Sequence, residues 1–289
     1  MPVGAFPAVL GHEGVGIVRE VGRDVRDKTL KFGDTVILSF NSCGGCSACK
    51  EERCGACSHC TEINFMKTAR GDQGSKSPIS LLDGTSVHGQ FFGQSSLSKL
   101  AIVAQNSIVK IDADEKDLPY LAPLACGYLT GAGTVFNVLE PKSHHKLVIL
   151  GMGAVGLAAL MAAKSIGMTD IVAVDIVDQK LQRATELGAS DTVNTNTHTD
   201  LNEAIRHVFP GGVDMVVDTT GVVPLLELGV KALAHEGTLA MVGVPPPDTP
   251  LRIDPLDFLT TCKKMIGVIE GFANPQKVTI PARWSHSTT

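Results

Sequence analysis

In the second half of the chain, short apolar runs alternate with amphipathic stretches of helical period. The runs are Leu147–Leu150, Ile171–Val174, Thr192–Asn194, Met215–Val217, Leu239–Val242 and Met265–Ile269. Helices are expected between them near 154–167, 177–188, 199–208, 222–235 and 255–261. Six short runs joined by helical crossovers predict an α/β domain with a doubly wound parallel sheet. Pro245–Pro247 follows the fifth run and should stiffen the loop that leaves it.

The first 125 residues have a different pattern and predict a β-rich domain. Gly14–Gly22 alternates and is bounded by glycine, as a half-buried strand should be, and Thr35–Phe40 is a β-branched, apolar strand. Thr68–Gly84 is polar and reads as a loop. Gln90–Ser98 and Lys99–Ile111 are expected to resume as strands, the second broken near Gln105-Asn106. Asp112–Glu115 is a charged turn. From Leu118 to Leu139 the apolar spacing becomes helical and predicts a helix pair leading into the second domain.

The stretch with the most chemistry is Lys146–Asp175. A strand ends in Gly151-Met-Gly153-Ala-Val-Gly156, a small-residue helix follows, and a second strand stops at Asp175. Gly151 suits the tight turn, Gly153 the close approach of a pyrophosphate, and Gly156 the packing of helix on strand. The helix N-terminus offers unpaired N–H groups to phosphate. Asp175 sits where a carboxylate would bond the ribose hydroxyls and repel a 2′-phosphate. A turn used only for packing is the alternative, but strand, helix, second strand and acid are all in place.

Composition adds exclusions. At 289 residues there is room for two domains. A net charge of −5 with no basic block argues against nucleic acid as a partner. No signal peptide is visible at the start, and the apolar run 147–163 is short for a membrane span and contains the glycine turn. A soluble, cytoplasmic protein is expected, without membrane partners.

Of eight cysteines, six lie between Cys43 and Cys60. Cys43-x2-Cys46-x2-Cys49-x7-Cys57 has the spacing of a closed, four-sulfur structural zinc site, with Gly44 and Gly45 allowing the tight fold. CxxC spacing recurs at Cys54, Cys57 and Cys60, so another register is open. His59 is an alternative ligand, and a metal-free cysteine-rich loop is the plainer reading.

Together GHEGVG (11–16), the four-cysteine lobe, Cys126-Gly-Tyr-Leu-Thr130-Gly, GMGAVG and VGVPP (242–246) resemble the zinc-dependent medium-chain alcohol dehydrogenases. FFGQSS and TEINF look most like the aryl-alcohol (benzyl alcohol) dehydrogenase branch. The resemblance implies a GroES-like catalytic domain, residues 1–125, with a structural-zinc lobe at 43–60. It also implies a Rossmann NAD-binding domain, residues 126–275, and leaves 276–289 as an atypical tail. The implied reaction is hydride transfer between a primary, aromatic alcohol or aldehyde and NAD. In the family a catalytic zinc takes two cysteines and the histidine of GHE, alcohol dehydrogenase being the standing example of such a site. His12 and Cys126 match two of these ligands, and Glu13 is the neighbouring carboxylate. By the same resemblance Thr130 and Val155 would line the nicotinamide, Asp175 and Lys180 would hold the ribose, and the backbone at Val242–Val244 would meet the carboxamide. A homodimer or homotetramer through the Rossmann edge strand, near Met265–Ile269, is also implied.

The family's first catalytic cysteine lies well before the GHE histidine. Here eleven residues precede His12 and none is Cys. The last residues, from Lys277, carry no family pattern either. The expectation is therefore a chain shortened at both ends, with an incomplete GroES-like domain. Three readings follow: an active zinc-dependent dehydrogenase, an inactive relative that binds only NAD and structural zinc, and a metal- or redox-responsive protein using Cys54 and Cys60.

Overall fold

The computed structural model describes residues 6–66, 79–198 and 200–277. They divide into two units, one reaching Leu129 and resuming at Ala273, the other Thr130–Phe272. In the first lie β1 (Gly14–Ile17), β2 (Thr35–Leu38), α1 (Ser47–Lys50), the two-residue strands β3 (Ile79–Ser80) and β4 (Ser86–Val87), β5 (Ile108–Lys110) and α2 (Leu118–Leu121). The sheet order is β1-β2-β5, antiparallel throughout. Val36 and Leu38 of β2 bury with Leu30, and Val18, Val21, Val25, Val103 and Ile108 pack round them.

This unit differs from its sequence expectation. β1 stops at Ile17 rather than near Gly22. Gln90–Ser98 is not a strand: Phe91–Gly93 is a tight turn, and Phe92, Gly93 and Ser95 have φ of 53°, 71° and 50°. No extended strand tolerates that left-handed backbone. What holds it is packing, because Phe91 and Phe92 meet Phe65 and each other edge-on, with ring centroids 4.8–5.9 Å apart. Of Lys99–Ile111 only β5 is extended, after a turn at Gln105–Ser107. Most of the expected loop 68–84, and of the tail 276–289, lies outside the described residues.

The expected helix pair at 118–139 is a series of short pieces. α2 runs into a 3-10 turn at Ala122–Ala125, then α3 (Gly127–Gly133) and a wider helical turn at Thr134–Leu139. The division between the units falls inside α3.

In the second unit the six runs become β6 (Leu147–Leu150), β7 (Ile171–Asp175), β8 (Asp191–Asn194), β9 (Val213–Asp218), β10 (Leu233–Met241) and β11 (Lys264–Gly267). They form one parallel sheet, ordered β11-β10-β9-β6-β7-β8. The helices between are α4 (Ala154–Ser165), α5 (Asp178–Glu186), α6 (Leu201–Val208), α7 (Val223–Ala232) and α8 (Pro255–Thr260). Every residue of β6 and β7 is buried, because both sheet faces are covered. Leu147, Ile149 and Ala173 face one core, while Val148, Leu150, Val172 and Val174 face the other.

Local chemistry sets the helix starts. Asp200 caps α6 by accepting from Glu203 N at 3.0 Å. Asp254 caps α8 by accepting from Leu256 N at 2.9 Å, with Pro255 pre-set for the first turn. α4 packs closely because its inner face is Gly156, Ala158, Ala159, Ala162 and Ala163 around a single Leu160. From β6 the chain turns one way to β7, and β9 flanks β6 on the other side. The carboxyl ends of β6 and β9 are thus the switch point at which such sheets hold ligands. No helix among the described residues is long and apolar enough to cross a membrane.

Candidate metal and dinucleotide sites

The lobe gathers four thiols. Cys43, Cys46, Cys49 and Cys57 have sulfurs within 4.8 Å of one another, with Cys43–Cys49 at 3.9 Å and Cys46–Cys57 at 4.0 Å. Tetrahedral zinc with Zn–S bonds of about 2.3 Å needs sulfurs about 3.8 Å apart. Two of the six sulfur pairs already stand near that spacing, and none exceeds 4.8 Å, so a small contraction would close the set on the ion. Backbone N–H groups already point at the sulfurs: Gly45 and Cys46 donate to Cys43 at 3.4 and 3.3 Å, and Cys43 donates to Cys57 at 3.5 Å. Gly44, at φ +68°, makes that turn possible.

The thiols differ in acidity. N–H groups of Cys49 and Ser58 lower Cys46 to about 5, whereas burial pushes Cys49 and Cys57 up. Cys54 and Cys60 lie outside the four-sulfur set, in the apolar packing with Phe40, Phe65 and Phe92. Asn64 Nδ2 donates to Cys60 Sγ at 3.5 Å, and the exposed His59 pairs with Glu62 at 3.5 Å. The spacing favours Cys43, Cys46, Cys49 and Cys57 while leaving another register open. The sulfur positions gather those four, whereas burial does not distinguish them, since Cys49, Cys54, Cys57 and Cys60 are all buried.

Also in the first unit, His12 stacks on Phe92 with centroids 4.7 Å apart and meets Phe91 edge-on. Glu13 reaches the other segment, its Oε1 accepting from Gly127 N at 3.1 Å, one residue past Cys126. His12, Glu13 and Cys126 thus belong to neighbouring segments. Among the described residues, however, their donor atoms are not gathered into a metal-sized set as those of the lobe are. These three residues do not by themselves make a catalytic-zinc site.

Two residues missed by the sequence reading tie these segments together. Gln94, fully buried, donates from Nε2 to His12 O and to Ser39 O, both at 2.9 Å. Ser39 Oγ in turn donates to Ala125 O at 2.6 Å. Polar residues inside FFGQSS were the signal available, and the segment reads as a strand in the sequence.

In the second unit, Gly151 turns at φ +92°. A Cβ at Gly156 would strike the Gly151 carbonyl oxygen, whereas one at Gly153 would meet nothing within 4 Å. Gly153 thus presents open backbone at the start of α4. Asp175, buried at the end of β7, accepts from Met152 N at 2.7 Å through Oδ2, and from Ile176 N and Val177 N at 2.8 and 3.0 Å through Oδ1. Lys180 Nζ stands 3.6 Å from the same Oδ2. Acid, lysine and glycine turn therefore share one rim.

Thr130 is buried and its Oγ1 donates to Glu270 Oε2 at 3.3 Å; a Cβ on the next residue, Gly131, would strike the carbonyl of Val155. Thr130 and Val155 are thereby neighbours beside the first turn of α4. On the opposite flank Val242 N and Gly243 N both donate to Asp218 O at 2.9 Å, and a Cβ on Gly221 would come within 2.5 Å of the Val244 carbonyl carbon. The Val242–Val244 backbone is fixed at the carboxyl end of β9.

Fold and sites together define an α/β protein with a glycine turn at the switch point of its parallel sheet and a β-rich unit bearing a four-thiol lobe. Known proteins extend this. A family model described as alcohol dehydrogenase GroES-like domain matches residues 1–113, and one described as zinc-binding dehydrogenase matches 154–282. A geraniol dehydrogenase of Castellaniella defragrans is 39% identical over 274 residues, 94% of this chain and 71% of its own. An alcohol dehydrogenase zinc-binding domain protein from Burkholderia ambifaria superposes with a TM-score of 0.87 at 38% identity, covering 96% of this chain and 72% of that one. Benzyl alcohol dehydrogenase from Acinetobacter calcoaceticus gives 0.85 at 38% identity, covering 99% and 75%. The chain belongs to the zinc-binding medium-chain alcohol dehydrogenase family, whose members are NAD-using alcohol oxidoreductases.

Proposed function

We propose that this chain binds NAD in the second unit, holds a structural zinc in the lobe, and serves hydride transfer between NAD and a primary, aromatic alcohol or aldehyde. One observation carries the cofactor reading: the Met152 N–H of the glycine turn is bonded to Asp175 at 2.7 Å. Turn and acid are thereby one preorganised element. In this reading Asp175 accepts the ribose hydroxyls, Lys180 supports it, and the open backbone at Gly153 meets the pyrophosphate at the start of α4. Gly151 and Gly156 shape the turn. Thr130, Val155 and the Val242–Val244 backbone line the nicotinamide. Holding ring and alcohol in contact supplies much of the rate in such a transfer. Support for an aromatic substrate comes from the likeness to the Acinetobacter benzyl alcohol dehydrogenase.

His12, Glu13 and Cys126 are assigned to the alcohol end of the reaction. A second reading is favoured by their not being gathered for metal: a relative that binds NAD and structural zinc without turnover. Purified protein assayed for NADH production from benzyl alcohol and geraniol separates the two. Turnover supports the first; NAD⁺ binding with neither alcohol oxidised supports the second. Association of two or four copies along β11 is proposed on the same footing. It would cover the sheet's open edge beside the exposed Leu256, Leu259, Met265 and Ile269.

A further inference from the structure

Asp218 ends β9 opposite Leu150, the last residue of β6. The next residue, Thr219, reaches across the switch point. Its backbone N donates to Leu150 O at 2.9 Å, and its Oγ1 lies 2.9 Å from Leu150 O and 3.1 Å from Gly151 O. A hydroxyl has one proton, so that proton is shared between two carbonyls in a three-centre bond. The contact is intimate: a Cβ on Gly151 would stand 2.5 Å from Thr219 Oγ1.

The consequence falls on the peptide joining Gly151 to Met152. Its carbonyl is held by Thr219 and closed over by Gly156, while its N–H is held by Asp175 Oδ2. Both ends of one peptide plane are pinned, from two different strands. Without the hydroxyl, the carbonyl keeps only the contact with Gly156 and the plane can rotate. Rotation swings a partial negative charge toward the space where an anion must sit and withdraws the N–H from Asp175. Thr219 is itself held, because its neighbour Thr220 bonds Asp218 through Oγ1 at 2.6 Å and through N at 3.2 Å, and Gly221 N bonds the other carboxylate oxygen at 3.0 Å. Asp218 is fully buried.

We propose that Thr219 is a positioning residue for the pyrophosphate of a dinucleotide, acting by fixing the orientation of the 151–152 peptide. This rests on the dinucleotide reading above and names the side chain that makes the glycine turn ready to receive phosphate. Adenosine, which reaches only Asp175 and lacks phosphate, does not depend on it, because Asp175 keeps its bonds from Ile176 and Val177.

The test uses the full chain and its Thr219→Val and Thr219→Ser variants, with calorimetric or NMR titration of ADP-ribose and of adenosine. Thr219→Val keeps the shape and loses the hydroxyl; it should bind ADP-ribose about tenfold more weakly, the equivalent of one ordinary hydrogen bond, and adenosine unchanged. Thr219→Ser keeps the hydroxyl and should restore ADP-ribose binding to within about twofold. Equal ADP-ribose affinity in Thr219→Val and the native chain would overturn the proposal. So would equal losses in both variants, which would mark a steric role, or a loss shared equally by adenosine. If the native chain binds adenosine but not ADP-ribose, the dinucleotide reading fails first and this proposal with it.

Discussion

Two glycines three residues apart in the phosphate turn, Gly153 and Gly156, should fail in opposite ways when each gains a methyl group. At Gly153 a Cβ meets nothing within 4 Å, and φ is −79° with ψ −168°, a backbone any residue adopts. Alanine there loses a little as a helix cap and gains about as much by restricting the unfolded chain, each effect being on the order of 0.5–1 kcal/mol. Stability should not change measurably. The methyl group would instead occupy the approach to the backbone, and NAD⁺ affinity should fall by about tenfold or more. At Gly156 the added Cβ strikes the Gly151 carbonyl oxygen and stands 3.0 Å from its carbon, both backbone atoms that cannot swing aside. Overpacking of this kind costs roughly 1–3 kcal/mol, partly offset by about 1 kcal/mol of helix propensity. Because the clash is with backbone the cost lies at the upper end of that range, and the net of about 1–2 kcal/mol lowers Tm by about 2–8 °C for a unit this size without any ligand present. Differential scanning calorimetry of the free protein and NAD⁺ titration of each variant check both halves. Gly153→Ala losing stability while keeping affinity, or Gly156→Ala melting like the native chain, would refute the assignment of roles.

Other outcomes follow from the same geometry. Purified chain should hold one tightly bound zinc, and Cys49→Ser should lose it; metal analysis finding none in the native protein contradicts the lobe assignment. Zinc affinity should fall as pH drops, since Cys49 and Cys57 are held protonated by burial and must release protons to the metal, while Cys46 is already ionised at neutral pH. Proton release measured in two buffers of different ionisation enthalpy checks the sign. His88 is buried with neither ring nitrogen bonded, and burial lowers its pKa. Its folded-state pKa lies below its unfolded value of 6.5, so the stability linked to keeping it neutral is complete above that value and is lost as pH falls through it. His88→Phe should flatten the decline of Tm between pH 7 and pH 5; an unchanged slope would remove His88 as its cause.

The second unit was legible in the sequence because each of its elements is local. Short apolar runs mark the strands, those of β6 and β7 buried throughout, alanine-rich or amphipathic periods mark the helices, and every expected crossover helix was found within a few residues of its bounds. The glycine turn was legible for the same reason, down to Asp175. What pins it was not. Thr219 and Asp218 act through sheet order, and nothing in Asp-Thr-Thr-Gly announces that β9 will lie beside β6. The first unit was harder because its determinants are distant. Phe91 and Phe92 look like strand residues, but contacts with Phe65 and His12 bend them into a left-handed turn that aims Gln94 inward. The lobe's spacing pointed to Cys43, Cys46, Cys49 and Cys57 but left another register open; the sulfur positions bring those four together and leave Cys54 and Cys60 outside the set.

In the proposed function the second unit is a dinucleotide site set for NAD by Asp175. Calorimetric titration of the purified chain with NAD⁺ and NADP⁺ tests it most directly. One NAD⁺ should bind per chain, with NADP⁺ about tenfold weaker or more because its extra phosphate meets a buried carboxylate. Tighter binding of NADP⁺, or no binding of either dinucleotide, would contradict it.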